Sequence, residues 1–195
     1  GNLRGFESLI LSQSYFPQFL SFAKALLSPI ATHLGWNPTT GEGHLHSLLR
    51  PNILRQIGLY GDINTLDTAN RMFEEYLQSP SSITPDLRSA VFELVAQTGS
   101  LDSYEILHSL ANQSQGQEEK LRLLFSLASF NDTSLLTKTL NIAMSPEVRS
   151  QDTVSLISAV AGNRIGRKLA WGFIKNNWSE LNRRYGAGGF LIMRL

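Results

Sequence analysis

The stretch GEGHLHSLLR, from Gly41 to Arg50, holds a glutamate and two histidines within five residues. Carboxylate and imidazole groups are common zinc ligands and can also act as general acids or bases. Two ligands on one helix face must be three or four positions apart. His44 and His46 are two positions apart, which is about 200° around a helix of 3.6 residues per turn. If the segment is helical they diverge, and we interpret both as structural or surface residues.

Other motifs of catalysis are missing from the sequence. It has no H-E-x-x-H zinc motif, no G-x-S-x-G nucleophile elbow and no P-loop, and His33 has no histidine or carboxylate at ligand spacing. The absence of cysteine excludes disulfides, thiolate metal sites and a cysteine nucleophile. The glycines at 186–189 follow a predicted helix and are typical of a C-cap and turn. We therefore predict no catalytic, metal or cofactor site in this chain.

The bulk composition is that of an ordinary globular protein. The chain has 195 residues, 42% hydrophobic and 17% charged, with a net charge of +1. A near-neutral charge gives no general attraction for nucleic acid or an anionic membrane. No run of about 18 apolar residues could span a bilayer. We expect neither a nucleic-acid nor a membrane partner.

One segment is locally basic. Between residues 164 and 184, six cations oppose the single acidic residue Glu180; they are Arg164, Arg167, Lys168, Lys175, Arg183 and Arg184. Two interpretations remain open. The segment is a solvated helix face with cations suited to its negative end, or a patch that attracts acidic groups such as a peptide carboxylate.

The hydrophobic period is helical almost throughout. Helices are predicted over residues 14–34, where Pro29 bends or breaks the helix, from Glu42 with a kink at Pro51, and over 64–78. Further ones begin after Thr84, at a capping box of Asp102 and Glu105, around Leu121, after residues 131–132 and at Asp152. A last long helix covers 165–185 and ends at Gly186.

Two apolar stripes carry specific expectations. Leu45, Leu49, Ile53 and Ile57 share one face of the helix that starts near Glu42. On the last long helix, Trp171 and Trp178 lie seven residues apart, in line with Ile174 and Leu181. This pattern favours core packing over an aromatic platform that stacks on bases.

The helix breaks recur at a fixed interval. Gly99, Asn131 and Asn163 are 32 residues apart each time, and each interval holds two short helices. This spacing is typical of helical-hairpin repeats of the HEAT and armadillo type, and a plain irregular helical bundle is the alternative. We predict one all-α helical-repeat domain over residues 1–195, arranged as a curved array of antiparallel hairpins.

Three stretches together resemble a known family. They are LGWNPTTGEGHLHSLLR at 34–50, SPEVRSQDTVSLISAVAGNRIGRKLAWGFIKNNWSEL at 145–181, and GGFLIMRL from Gly189. They are similar to the C-terminal helical domain of gluzincin-type zinc aminopeptidases, most closely the puromycin-sensitive branch. The resemblance covers most of the chain, in order. It implies a non-catalytic fragment whose zinc, H-E-x-x-H motif and G-A-M-E-N loop belong to an upstream catalytic domain of the same polypeptide.

The resemblance also implies where peptide substrates make contact. In relatives such contacts come partly from the segment that joins the last two quoted helices, here residues 161–164. Asn163 and Arg164 are therefore predicted to contact peptide, with Arg149 and Gln151 as the next candidates. Alignment on the Leu-Ala-Trp triplet puts Gly162 where some relatives have a basic residue for the peptide carboxylate. Arg164 then substitutes from two positions on, or the role is absent.

Our leading hypothesis is a substrate-cavity or regulatory domain of an aminopeptidase, inactive when isolated. The alternative is a free-standing helical-repeat scaffold for partner proteins, which needs a terminal capping repeat that the sequence after Gly186 does not provide. The apolar ending GGFLIMRL predicts an array truncated at its C-terminal end. The lack of cysteine agrees with a reducing compartment, so we expect a cytoplasmic location.

Overall fold

The computed structural model describes residues 2–39 and 41–186, except for the side chains of Asn2, Arg4 and Ser8. Within these ranges the chain forms eleven α-helices, two 3₁₀ turns and no β-strand, which confirms the all-α class. The predicted turn at 187–189 and the apolar ending lie outside the described residues. By internal contacts the chain divides into two compact units, Gly1–Gln97 and Thr98–Leu195.

The first unit contains five helices. They are α1 (Asn2–Ile10), α2 (Phe16–Leu34), α3 (His44–Leu59), α4 (Ile63–Gln78) and α5 (Pro85–Thr98), with a 3₁₀ turn at Pro80–Ser82. Asp62 caps α4 by accepting from the backbone N–H of Thr65 at 2.9 Å. The prediction that Pro29 bends or breaks its helix is wrong about a break, since α2 continues through Pro29 to Leu34. Pro51 likewise lies inside α3.

Helices α4 and α5 of this unit share an aromatic core. The rings of Tyr76 and Phe92 meet edge to face with centroids 5.1 Å apart, and Phe73 packs 5.9 Å from Phe92. Helix α3 approaches α5 closely at Gly58, where an added Cβ would lie 2.4 Å from Leu94 Cδ2. A side chain at position 58 would therefore force the buried Leu94 side chain to move.

The second unit contains six helices. They are α6 (Leu101–Gln113), α7 (Gln117–Ser126), α8 (Thr133–Met144), α9 (Ser150–Ala161), α10 (Arg167–Asn176) and α11 (Trp178–Tyr185), with a 3₁₀ turn at Leu127–Ser129. Each predicted 32-residue interval holds two of them, α6 with α7 and α8 with α9, joined by short connections that favour antiparallel neighbours. Asp132 caps α8 by accepting from the N–H groups of Ser134 and Leu135.

Two predicted helix starts in this unit are wrong. The capping box of Asp102 and Glu105 does not form, because the N-cap of α6 is Ser100, two residues earlier, and Asp102 lies in the first turn. Glu105 instead pairs with Lys138. Helix α9 begins at Ser150, so Asp152 lies in its first turn and does not open it.

The predicted long last helix is also wrong, because two helices replace it. Asn177, with φ −108° and ψ 13°, interrupts the helix between α10 and α11. Its side-chain Nδ2 donates to the carbonyl of Phe173 at 2.9 Å, a carbonyl that also accepts from the Asn177 backbone N–H at 3.0 Å. Asparagine side chains that bond nearby backbone in this way favour helix ends over helix interiors.

The two tryptophans are not core residues, contrary to the prediction. Trp171 is 57% exposed and Trp178 is 49% exposed, whereas Ile174 and Leu181 are buried. The Lys175 ammonium lies 5.7 Å from the Trp171 ring centroid, a cation–π contact on the outer face of α10. The apolar stripe of the sequence is therefore divided between core and surface.

Candidate peptide-contact surface

The two histidines of the 41–50 stretch, His44 and His46, lie at the start of α3. His44 is its first residue and both His44 and His46 are exposed, as the helical interpretation predicted. His46 instead meets His33 at the end of α2, with ring centroids 5.7 Å apart. Within residues 2–39 and 41–186, no group of three or more histidine, aspartate or glutamate side chains lies close enough to hold a metal ion.

The glutamate of the same motif has a structural partner. Arg50, only 3% exposed, pairs with Glu42 through both guanidinium Nη atoms, and its Nε donates to the carbonyls of Leu34 and Gly35 at 3.1 Å. Hydrogen bonds from Arg50 lower the pKa of Glu42 to about 2, against the opposing effect of burial. The motif therefore fastens the end of α2 to α3.

Asn163 holds the turn between α9 and α10. Its Nδ2 donates to the carbonyls of Ala128 and Phe130, both at 2.9 Å, and its Oδ1 accepts from the N–H of Ile165 at 3.0 Å. These bonds join the turn to the segment that precedes α8. The turn is tight as well, since a Cβ added at Gly166 would lie 2.2 Å from the Val160 carbonyl.

Arg164 follows Asn163 in this turn and is half-buried. The next cations along the chain, Arg167, Lys168 and Lys175, are exposed on α10. At the far end of the basic segment, Glu180 accepts from both Arg183 and Arg184, and these bonds lower its pKa to about 2. Four of the six cations of the segment therefore lie between residues 164 and 175, away from Glu180.

The other two predicted contact residues lie at the opposite end of α9. Arg149 is the N-cap residue of this helix and its Nε donates to Asp152 Oδ2 at 2.7 Å, while Gln151 is exposed in the first turn. The twelve residues of α9 rise 1.5 Å each, so its ends are about 18 Å apart. The four predicted residues thus form two groups, one at each end of α9.

A polar cluster near Arg149 was missed by the sequence reasoning. His108 Nε2 lies 2.7 Å from Glu147 Oε2, and Asn112 Nδ2 lies 3.2 Å from the same imidazole nitrogen. Burial acts to raise the pKa of Glu147, but hydrogen bonds from His108 and Asn112 outweigh it and lower that pKa. Because 39 residues separate His108 from Glu147, no local spacing signals the pair.

Comparison with known proteins identifies the class of domain that these helices form. The protein-family model of the ERAP1-like C-terminal domain matches residues 1–195 of this chain. The chain belongs to this family. It is 34% identical over 169 residues to Aminopeptidase M1 of Arabidopsis thaliana, covering 84% of this chain and 19% of the relative.

Further relatives carry aminopeptidase names as well. Glutamyl aminopeptidase of Sus scrofa is 33% identical over 172 residues, covering 87% of this chain and 18% of that protein. Aminopeptidase M1-C of Oryza sativa subsp. japonica is 34% identical over 176 residues, covering 88% and 20%. The chain thus spans about a fifth of the length of these relatives. The matches confirm the resemblance to the aminopeptidase C-terminal domain, while its closeness to the puromycin-sensitive branch stays a prediction.

The described helices give one further result that concerns membranes. None of those helices combines the length and the apolar character that crossing a bilayer requires.

Proposed function

We propose that this chain is a non-catalytic domain of a zinc aminopeptidase, where it encloses the substrate chamber and contacts the distal part of the peptide. The observation that carries the proposal is the family match over residues 1–195, together with relatives that are named aminopeptidases and are about five times as long. Its partners are peptide substrates and the upstream catalytic domain of the same polypeptide. Bond cleavage belongs to that upstream domain.

Zinc has no assigned place in this chain. The described residues offer no cluster of three imidazole or carboxylate donors, whereas a catalytic zinc site uses three protein ligands and an open position. No step of the reaction is therefore assigned to these helices. The isolated chain with added zinc is expected to show no peptide hydrolysis, and measurable turnover would refute the non-catalytic assignment.

The peptide-contact residues are proposed to act through charge and spacing. Arg164 in the α9–α10 turn offers a guanidinium for an acidic side chain or the peptide carboxylate, and Arg149 with Gln151 offers polar groups at the other end of α9. An extended peptide advances about 3.3–3.6 Å per residue, so about five or six residues span the 18 Å of this helix. Asn163, whose amide nitrogen bonds the segment before α8 and whose amide oxygen bonds within the turn, orients Arg164 and stays a candidate contact.

Charge reversal in the full-length parent tests this function. Arg164→Glu is expected to raise the Michaelis constant for long peptides about tenfold, because it replaces attraction for an acidic group by repulsion. Substrates of a single residue do not reach this region and are expected to keep their Michaelis constant. Arg71→Glu, an exposed arginine of α4, is the matched control. An equal effect of Arg164→Glu on both substrate classes contradicts a distal contact.

The repeat architecture, its curved form and a cytoplasmic location belong to the same proposal. The 32-residue recurrence of helix pairs supports HEAT-like hairpins in one repeat domain, with a curved array as the expected form. A cytoplasmic location, expected from the absence of cysteine, is tested by fractionating cells that express the tagged parent. Recovery of the parent in a disulfide-forming compartment would contradict it.

A further inference from the structure

An uncharged apolar face lies on α2 and α3 of the first unit. On α2, Phe22 is 60% exposed and Leu26 is 55% exposed, and Ile30 continues the same stripe at intervals of four residues. On α3, Leu45 is 72% exposed, and Leu49 is exposed one turn later. We call these five side chains the α2–α3 face. Of the α3 stripe identified in the sequence, only the later part, at Ile57, is buried.

Two ring contacts fix how the stripes of the α2–α3 face lie beside each other. His33 meets His46 with centroids 5.7 Å apart, and Phe19 meets Tyr60 with centroids 6.1 Å apart. The contacts are 14 residues apart on both sides of the pair, which is the register of two antiparallel helices. This register places Ile30 level with Leu49. We infer from this register, and from the packing of α2 against α3, that the two apolar stripes lie side by side.

None of the charged residues of α2 and α3 belongs to this face. The only Lys, Arg, Asp or Glu of α2 is Lys24, which is two positions from Phe22 and so about 200° around the helix. The two arginines of α3 point elsewhere: Arg50 is buried against Glu42, and Arg55 pairs with Glu93 of α5 at 3.0 Å. A contiguous apolar patch without charges is typical of a surface that another polypeptide covers.

We propose that the α2–α3 face is the surface through which this domain packs against the upstream part of the parent polypeptide. The matched family is a C-terminal domain, and about four-fifths of each relative's length is not matched by this chain. Most of that polypeptide precedes the domain, is tethered to it, and so meets the face at high effective concentration. Lacking charge, the face suits an apolar, weakly charged surface. This inference rests on the proposed function and adds the surface by which the two parts join.

Side-chain oxidation by hydroxyl radicals in the unmodified full-length parent tests the proposal. Leu77 of α4 is the matched control, since it is a leucine of the same unit with 40% exposure that lies off the face. If the upstream polypeptide covers the face, Leu26 is oxidised at least tenfold more slowly than Leu77. Equal rates for the two leucines overturn the proposal.

A dilution series separates the upstream polypeptide from a second copy of the chain. Protection of Leu26 that persists in a monomeric parent at low concentration supports the proposal, with the mass checked by sedimentation. Protection that disappears as dimers dissociate overturns it in favour of self-association. As a second measurement, Leu26→Glu in the parent is expected to lower the melting temperature more than Leu77→Glu, and an equal shift overturns the proposal.

The experiment distinguishes failure of this surface from failure of the proposed function. A parent that cleaves peptides but oxidises Leu26 as fast as Leu77 overturns the surface and leaves the function intact. A parent with no aminopeptidase activity but a protected Leu26 overturns the function and leaves the surface intact.

Discussion

The side-chain Nδ2 of Asn163 donates to the backbone carbonyl of Phe130 at 2.9 Å, across 33 residues of sequence. The same amide bonds Ala128, and its oxygen accepts from Ile165. The contact therefore spans about one repeat and joins the end of the α8–α9 hairpin to the segment that precedes α8. It fixes the turn that carries Arg164.

Replacement of Asn163 is expected to destabilise the second unit. Asn163→Ala leaves the Ala128 and Phe130 carbonyls without this donor and is predicted to lower the free energy of unfolding by about 1–3 kcal/mol. Urea denaturation measures the loss. Asn163→Asp keeps the acceptor for Ile165 and still loses both donor bonds, so it is expected to behave like Asn163→Ala.

Asn52→Ala is the control for this series, since Asn52 is an exposed helix residue bonded to the Leu48 carbonyl. Its effect is expected to stay within about 0.5 kcal/mol. If Asn163→Ala and Asn52→Ala have equal effects, the Asn163 bonds do not hold the turn.

Removal of the buried Arg50 is expected to destabilise the first unit strongly. Arg50→Met leaves Glu42 and two backbone carbonyls without their donor, and breaking a buried pair from one side is costly. We predict a fall in melting temperature on the order of 10 °C by calorimetry. Arg55→Met on the same helix removes a partly exposed pair with Glu93 and is expected to lower the melting temperature by only a few degrees.

The double variant Arg50→Met with Glu42→Met provides the second control. It removes both charges together and is expected to recover part of the loss, since no unpaired carboxylate remains. A double variant as unstable as the sum of the single ones would contradict the coupling between Arg50 and Glu42.

The same pair predicts how stability depends on pH. Hydrogen bonds from Arg50 lower the folded-state pKa of Glu42 to about 2 from an ordinary value of 4.5. Ionised Glu42 therefore contributes stability that is fully present above about pH 4.5 and is lost as the pH falls towards 2. The stability difference between the protein and Glu42→Gln is expected to shrink over this window, measured by denaturation at each pH.

Glu180→Gln is the surface counterpart of this experiment. Glu180 has a pKa of about 2 as well, caused by Arg183 and Arg184 on the surface of α11, where salt screens the attraction. Its contribution is expected to be smaller and to disappear in high salt. A Glu42 contribution that is equally sensitive to salt would contradict its burial against Arg50.

Much of the fold was predictable because it is encoded locally. The start of α5 at Pro85 and the end of α4 at Gln78 follow from signals within a few residues, and so does the cap at Asp132. Local signals misled at Asn177, where a side-chain bond to the Phe173 carbonyl interrupts a helix that the apolar period continues. The hydrophobic period of the sequence indicates which positions are apolar. It does not indicate which of these positions a neighbouring helix covers.

The candidate site was predictable only in part. The resemblance supplied Arg164 and Arg149, but their separation follows from the length of α9, whose start was predicted at Asp152 and lies at Ser150. Pairs such as His108 with Glu147 form between helices that are distant in sequence. The residue spacing within one helix does not indicate such pairs. They are found only in the three-dimensional structure.

The two-group arrangement on α9 predicts a dependence on peptide length. In the parent, charge reversal at Arg164 and at Arg149 is expected to raise the Michaelis constant only for peptides long enough to reach each residue. Because the ends of α9 are about 18 Å apart, the two onset lengths are expected to differ by about five residues. A series of peptides from three to twelve residues measures this, and onset at the same length for both variants would contradict it.

Photo-crosslinking tests the central claim most directly. A ten-residue peptide with a photoreactive C-terminal residue is bound to the parent whose catalytic zinc has been removed by a chelator, irradiated, and mapped by mass spectrometry. We predict crosslinks within this chain, at residues 149–151 or 163–164. Crosslinks confined to the polypeptide outside residues 1–195 would contradict the claim that this domain contacts the peptide.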